Sequence, residues 1–152
     1  MKQDTPSPIT ADPSWSVAII YSAWYPELVG PMVADARKTL LEAGIPEENI
    51  TMHKAPGSFE IPLLGAAVAE AGSADAIIAL GVVVNGETHH ARLVAEQAAR
   101  GAMDIQLKYL VPFAFEILYV DTIELAKTRS DKGKAAAITT LHSLTELQRI
   151  VE

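Results

Sequence analysis

The sequence predicts an α/β fold: a three-layer, doubly wound sandwich in which a four-stranded parallel sheet is flanked by helices. Three observations point to it. Short, wholly apolar, β-branched runs alternate with longer stretches of helical periodicity, the pattern of strands covered on both faces. Glycines close several helical stretches and the connections are short, as right-handed strand–helix–strand crossovers require. The 152 residues, 49% apolar and 20% charged, suffice for one substantial core and exclude wholesale disorder.

Residues 1–13 carry Pro6, Pro8 and Pro13 and read as an extended N-terminal arm; residues 14–152 read as a single domain. Such an arm is either floppy or an edge strand lent to a neighbouring subunit, where proline is tolerated. Val17–Tyr21 (VAIIY) is the first strand. Tyr25–Ala43 is a helix, with Leu28, Met32, Ala36 and Leu40 in helical spacing and Gly44 at its end. Pro31 means that this helix either starts near Gly30 or kinks. Ile50–His53 is a second strand, and Phe59–Ala71 a second helix, with Pro62 in its first turn and Gly72 behind it. Ala76–Val84 (AIIALGVVV) is the most strand-like segment. His89–Leu110 is a long helix weakened by Gly101, and Phe113–Val120 the fourth strand. Asp121 caps a helix through Lys127. Lys134–Val151 closes the chain as a helix with apolar positions at Ala137, Leu141, Leu144 and Leu147. The expected arrangement is flavodoxin-like.

Composition removes several functional classes. Twelve basic against nineteen acidic residues leave a net charge of −7, which disfavours a whole-domain nucleic-acid binder. Without cysteine there is no disulfide scaffold, thiolate metal site, iron–sulfur cluster or cysteine nucleophile. No apolar run approaches the ~20 residues that span a bilayer, and the first residues lack the apolar stretch of a signal peptide. The expectation is a cytoplasmic protein with neither membrane nor nucleic acid as partner.

Doubly wound sheets bind ligands beyond the carboxyl ends of their strands. That rule selects Ser22–Tyr25, Ala55–Glu60, Asn85–His90 and the end of the strand Phe113–Tyr119. Gly86–His90 opens a helix, so free N–H groups, the helix dipole and the Thr88 hydroxyl could hold an anion. Alternatively Thr88 or Glu87 caps the first turn, and the Glu87 charge opposes an anion unless it points away. His89 and His90 leave a helix ~100° apart and cannot chelate one metal. One of them is a plausible proton shuttle; a structural role is the alternative. Trp24 either packs in the core or stacks on a planar heterocycle. Glu60 either caps its helix or accepts hydrogen bonds from ring or ribityl-type donors. Arg129 either caps a helix end or pairs with a phosphate.

Pro56-Gly57-Ser58-Phe59-Glu60-Ile61-Pro62 and Ala79-Leu80-Gly81-Val82-Val83-Val84-Asn85-Gly86-Glu87-Thr88-His89-His90 closely resemble the lumazine synthase family, the penultimate enzymes of riboflavin synthesis. The resemblance runs from about Val17 to the C-terminus, with Gly101-Ala102-Met103, Pro112, Leu118, the Glu124–Arg129 stretch and Lys132-Gly133 in the expected order. It implies condensation of 5-amino-6-ribitylamino-pyrimidinedione with 3,4-dihydroxy-2-butanone 4-phosphate, without metal or organic cofactor. Carried over, it implies that Trp24 stacks on the pyrimidine, that Ser58 and Glu60 hold the pyrimidine and ribityl side, and that Val83 and Val84 line the ring. Glu87 and Thr88 match the phosphate loop, His90 the general acid/base, Arg129 the phosphate-binding arginine and Lys132 the lysine after it. Phe115 lines the neighbouring side of the pocket.

The resemblance also implies a homo-oligomer, a pentamer or a multiple of pentamers, with active sites at subunit interfaces. The segment Arg129-Ser130-Asp131-Lys132-Gly133 is shorter than is usual in the family. It favours a pentamer or paired pentamers over a closed capsid, with the last two helices almost continuous. Ala91-Arg92 stand where the family has an aromatic and an acid, Tyr25 where it has Asn, Asn85 where it has Arg or Gln, and Glu116 where it has Gly. Two further readings are an archaeal-type riboflavin synthase and a non-catalytic flavin- or lumazine-binding shell protein on the same fold.

Overall fold

The structure is a computed structural model that describes residues 7–152. Its sheet contains β1 (Val17–Ser22), β2 (Ile50–Ala55), β3 (Ala76–Val84) and β4 (Phe113–Val120). All pairs are parallel, in the order β2-β1-β3-β4. The helices are α1 (Pro26–Ala43), α2 (Ile61–Ala71), α3 (His90–Tyr109), α4 (Ile123–Lys127) and α5 (Lys132–Val151). This is the expected three-layer sandwich. None of the described helices is long and apolar enough to cross a membrane.

The two-residue alternation of the strands sorts the core into two clusters. Ile19, Ile78, Leu80, Val82 and Leu118 pack with Met32 and Leu40 of α1, Ala126 of α4, and Ala137 and Leu141 of α5. Ile20, Ile77, Ala79 and Ile117 pack on the opposite face with Ile61 and Val68 of α2 and Ala98, Ala102 and Ile105 of α3. Each large aliphatic side chain buried this way contributes about 1.5–3 kcal/mol. One close approach between helices requires glycine. A Cβ at Gly133 would collide with the Met32 carbonyl oxygen and stand 2.8 Å from the carbonyl carbon. At this point α5 therefore lies backbone-on-backbone against α1.

Several boundaries differ from the expectation. α1 begins at Pro26, whose fixed φ suits a first turn, and carries Pro31 inside it rather than starting near Gly30. β2 runs on to Ala55, paired with Ser22. The cap of α4 is Thr122, not Asp121: Thr122 is extended (φ −139°) and its Oγ1 accepts the Leu125 N–H at 3.3 Å. Asp121 instead accepts from Asn85 across the sheet. α5 begins at Lys132 rather than Lys134. Residues 128–131 are turns, with Arg129 N–H on the Ala126 carbonyl and Lys132 N–H on the Arg129 carbonyl, so α4 and α5 are joined without an open loop.

The described part of the N-terminal arm runs against its own chain. The Ala11 N–H donates to the Ala43 carbonyl at 2.8 Å, Ala11 is buried in the α1–α5 cluster, and the His142 ring meets the Ser7 carbonyl. Residues 1–6, including Pro6, lie outside the described residues. The chain path reverses between β1 and β3, and there a doubly wound sheet opens a crevice beyond its carboxyl ends.

Candidate active site

Three of the four loops selected by the sheet rule meet at that reversal. After β1, the Ala23 N–H donates to the Ala55 carbonyl (2.9 Å), which ties the ends of β1 and β2 together, and the Trp24 N–H donates to Ser22 Oγ (3.2 Å) within the turn. Tyr25 then adopts the left-handed conformation (φ 54°, ψ 56°), uncommon for a residue with a side chain. This turn sends the chain into α1 and leaves the Trp24 indole outside. Trp24 is 66% exposed, so it is not a core residue. Its ring lies over Gly57, where a Cβ would stand 3.4 Å from the indole Cδ1 and Nε1.

The second loop ends in a turn of 3₁₀ helix at Ser58–Glu60 before α2 begins at Ile61. Ser58 is only 5% exposed, and its Oγ has no hydrogen-bond partner. It points at β3, 2.7 Å from where a Cβ on Gly81 would sit. A buried hydroxyl left unpaired costs about 1–3 kcal/mol, and folded proteins keep few of them. Glu60 is half-buried and its side chain does not cap α2. Among the described residues its carboxylate accepts no hydrogen bond and joins no ion pair.

The third loop, 85–89, leads from β3 into α3, which starts at His90. The three loops enclose a cleft of about 340 Å³, within the range of small-molecule sites. Val82, Val83 and Val84 form an apolar floor. Trp24 and Tyr25 stand on one side, Ser58, Phe59 and Glu60 on another, and His90, Ala91 and Val94 close the third. His90 lines the cleft and His89 does not. An apolar slot with one flat aromatic and a few polar groups suits a planar, hydrogen-bonding heterocycle.

Of the residues expected at the site, Trp24, Ser58, Glu60, Val83, Val84 and His90 share this cleft. Glu87 and Thr88 are exposed on the loop just before His90, and Thr88 Oγ1 accepts the His90 N–H at 3.3 Å. Phe115, Arg129 and Lys132 do not join it within one chain. Phe115 is half-buried on β4 and packs towards the α2–α3 layer. Arg129 lines a separate crevice with Glu27, Leu28, Met32 and Lys127. Among the described residues its guanidinium makes no hydrogen bond or ion pair. At the end of α4 it is Thr128 Oγ1 that bonds the Leu125 carbonyl (2.7 Å). Among the described residues, no lysine or arginine lines the cleft.

Glu116 shares the corner of Arg129 and Lys132. Burial pushes its carboxyl above the ordinary glutamate range; Lys132 and Arg129 oppose that shift and Asp131 adds to it. Sequence reasoning did not single out Ser22, Tyr25, Phe59, Val82, Ala91 and Val94 as lining residues. Ser22, Tyr25 and Phe59 lie in the loops the sheet rule selects. Val94 follows His90 by one helical turn, the spacing that puts two side chains on one face.

The chain matches the family model of 6,7-dimethyl-8-ribityllumazine synthase over residues 14–148. It is 36% identical over 138 residues to the 6,7-dimethyl-8-ribityllumazine synthase of Stenotrophomonas maltophilia (strain K279a), covering 88% of this chain and 89% of that one. It is also 36% identical over 140 residues to the protein of the same name from Halorhodospira halophila (strain DSM 244 / SL1), covering 89% of each.

Proposed function

The chain belongs to the 6,7-dimethyl-8-ribityllumazine synthase family, and on that premise we propose how its cleft carries out the condensation. The reaction joins 5-amino-6-ribitylamino-pyrimidinedione to 3,4-dihydroxy-2-butanone 4-phosphate. The pyrimidine 5-amine attacks the ketone and water leaves as the imine forms. Loss of the C3 proton and of the C4 phosphate then leaves an enol, which tautomerises to a ketone at C3 and a methyl group at C4. The ribityl-bearing nitrogen closes on that new carbonyl, with loss of a second water. Every step is addition, elimination or proton transfer, so the balance needs no redox partner.

In this reading Trp24 stacks on the pyrimidine over the valine floor. Ser58 Oγ and the Glu60 carboxylate take the ring and ribityl donors, which gives both unpaired groups a partner. His90, at the mouth beside the loop, carries protons at the imine and at the departing phosphate, work typically worth ~10²–10⁴-fold. Thr88, the loop N–H groups and Glu87 border the phosphate.

The observation that carries the reading is a cleft built for a heterocycle to which, among the described residues, no lysine or arginine contributes a cation for the phosphate. Arg129 lines a separate crevice and Lys132 opens α5, both away from the cleft on the same chain. A second copy therefore brings Arg129, Lys132 and Phe115 to the cleft of the first. A ring of identical subunits repeats that contact at every boundary. The assembly is a pentamer or a multiple of pentamers working in the cytoplasm. Mixing the two substrates tests the reading: phosphate and the lumazine chromophore should appear in equal amounts. Consumption of lumazine alone would instead indicate a riboflavin synthase, and binding without turnover a shell protein.

A further inference from the structure

The loop that leads to His90 is held at one point. Between Gly86 and His89 the side chains add little: Thr88 Oγ1 takes the His90 N–H, and nothing lies within 4 Å of a Cβ at Gly86. Asn85, the first residue of the loop, is bonded three times: twice to the end of β4 and once to Asp121, the residue after it. Its N–H donates to the Val120 carbonyl at 2.8 Å, just beyond the last β3–β4 pair, Val84 with Val120. Its carboxamide oxygen accepts from the Tyr119 hydroxyl at 3.2 Å. Its NH₂ donates to Asp121 Oδ1 at 3.1 Å. Because a carboxylate only accepts, the amide has one orientation here, and Tyr119 must be the donor.

We infer that Asn85 is a positioning residue. Clamped between Tyr119 and Asp121, it holds the loop Gly86–His90 in its anion-binding shape before the phosphorylated substrate arrives. An ordered loop spares the ligand the entropic cost of fixing it, so the clamp acts on affinity for the phosphorylated partner. The pyrimidine half of the cleft rests on Trp24, Ser58 and Glu60 and does not feel it. This inference depends on the function proposed above.

The test compares variants of equal charge in the complete protein. Asp121→Asn keeps an oxygen that accepts from Asn85, whereas Asp121→Ala does not. Thr122, not Asp121, caps α4, so neither change removes a helix cap. Asp121→Ala, Tyr119→Phe and Asn85→Ala should each raise the KM for the phosphorylated ketone roughly three- to tenfold, with the KM for the pyrimidine unchanged. Asp121→Asn should stay near wild type. The Tyr119→Phe/Asn85→Ala double variant should be no worse than Asn85→Ala alone. If Asp121→Ala matches Asp121→Asn, or both KM values rise together, the clamp is not a positioning device. If the wild-type protein shows neither turnover nor binding of inorganic phosphate, the function proposed above has failed instead.

Discussion

Ser58→Ala should make the ligand-free protein more stable and its cleft less able to hold the pyrimidine. The Ser58 hydroxyl is buried, 5% exposed and without a partner within the chain, so on folding it carries the cost of lost hydration without return. Removing it recovers part of about 1–3 kcal/mol, less a small packing loss, because the vacated space is smaller than a methyl group. For a chain of 152 residues each 1 kcal/mol moves Tm by about 2–4 °C, so a rise of roughly 2–8 °C is expected. With substrate bound the hydroxyl is paired, and its loss costs about 0.5–1.5 kcal/mol of affinity, or roughly 2- to 12-fold. Thermal melts without ligand and a fluorescence titration with a lumazine analogue read the two halves separately. Saturating ligand should narrow the Tm gap, since it stabilises the wild type more. A lower Tm for Ser58→Ala without ligand, or unchanged affinity, would refute the assignment of this hydroxyl to the ligand.

Further substitutions probe the rest of the account. His90→Ala should slow turnover by ~10²–10⁴-fold with folding intact, and His89→Ala far less, because only His90 lines the cleft; steady-state kinetics on both variants decides. Gly133→Ala should destabilise by about 3 kcal/mol or more in a denaturant melt, since its methyl group meets the Met32 backbone rather than a movable side chain. Glu116→Gln should stabilise the protein near neutral pH. The raised Glu116 carboxyl favours folding while protonated, so wild-type stability falls relative to Glu116→Gln as pH rises above roughly 4 and through the raised folded value. A gap between the two that does not widen with pH would contradict the burial of that carboxyl.

The strands were legible because runs such as VAIIY and AIIALGVVV leave little choice once helices cover both faces. The place of the cleft followed from the same pattern through the sheet rule. Side-chain alternatives were less legible. A tryptophan two residues after an apolar strand suits either core or ligand, and the left-handed turn at Tyr25 decides it for the cleft side. Nothing in the local sequence marks that turn, since neither glycine nor asparagine occupies it. Asp121 and Thr122 are both good caps, and the choice lies in the sheet register, which draws Asp121 to Asn85. The separation of Arg129 from the cleft is a property of the folded chain and not of any local pattern.

The central claim is that one chain carries two halves of a site that only adjacent copies complete. His90→Ala and Arg129→Ala, each of which should lose most turnover alone, can be unfolded, mixed in equal amounts and refolded together. If the halves meet across a subunit boundary, about a quarter of the sites regain both native residues and turnover returns in that proportion. Mixed assemblies that form but show no more activity than the two variants apart would contradict a shared site.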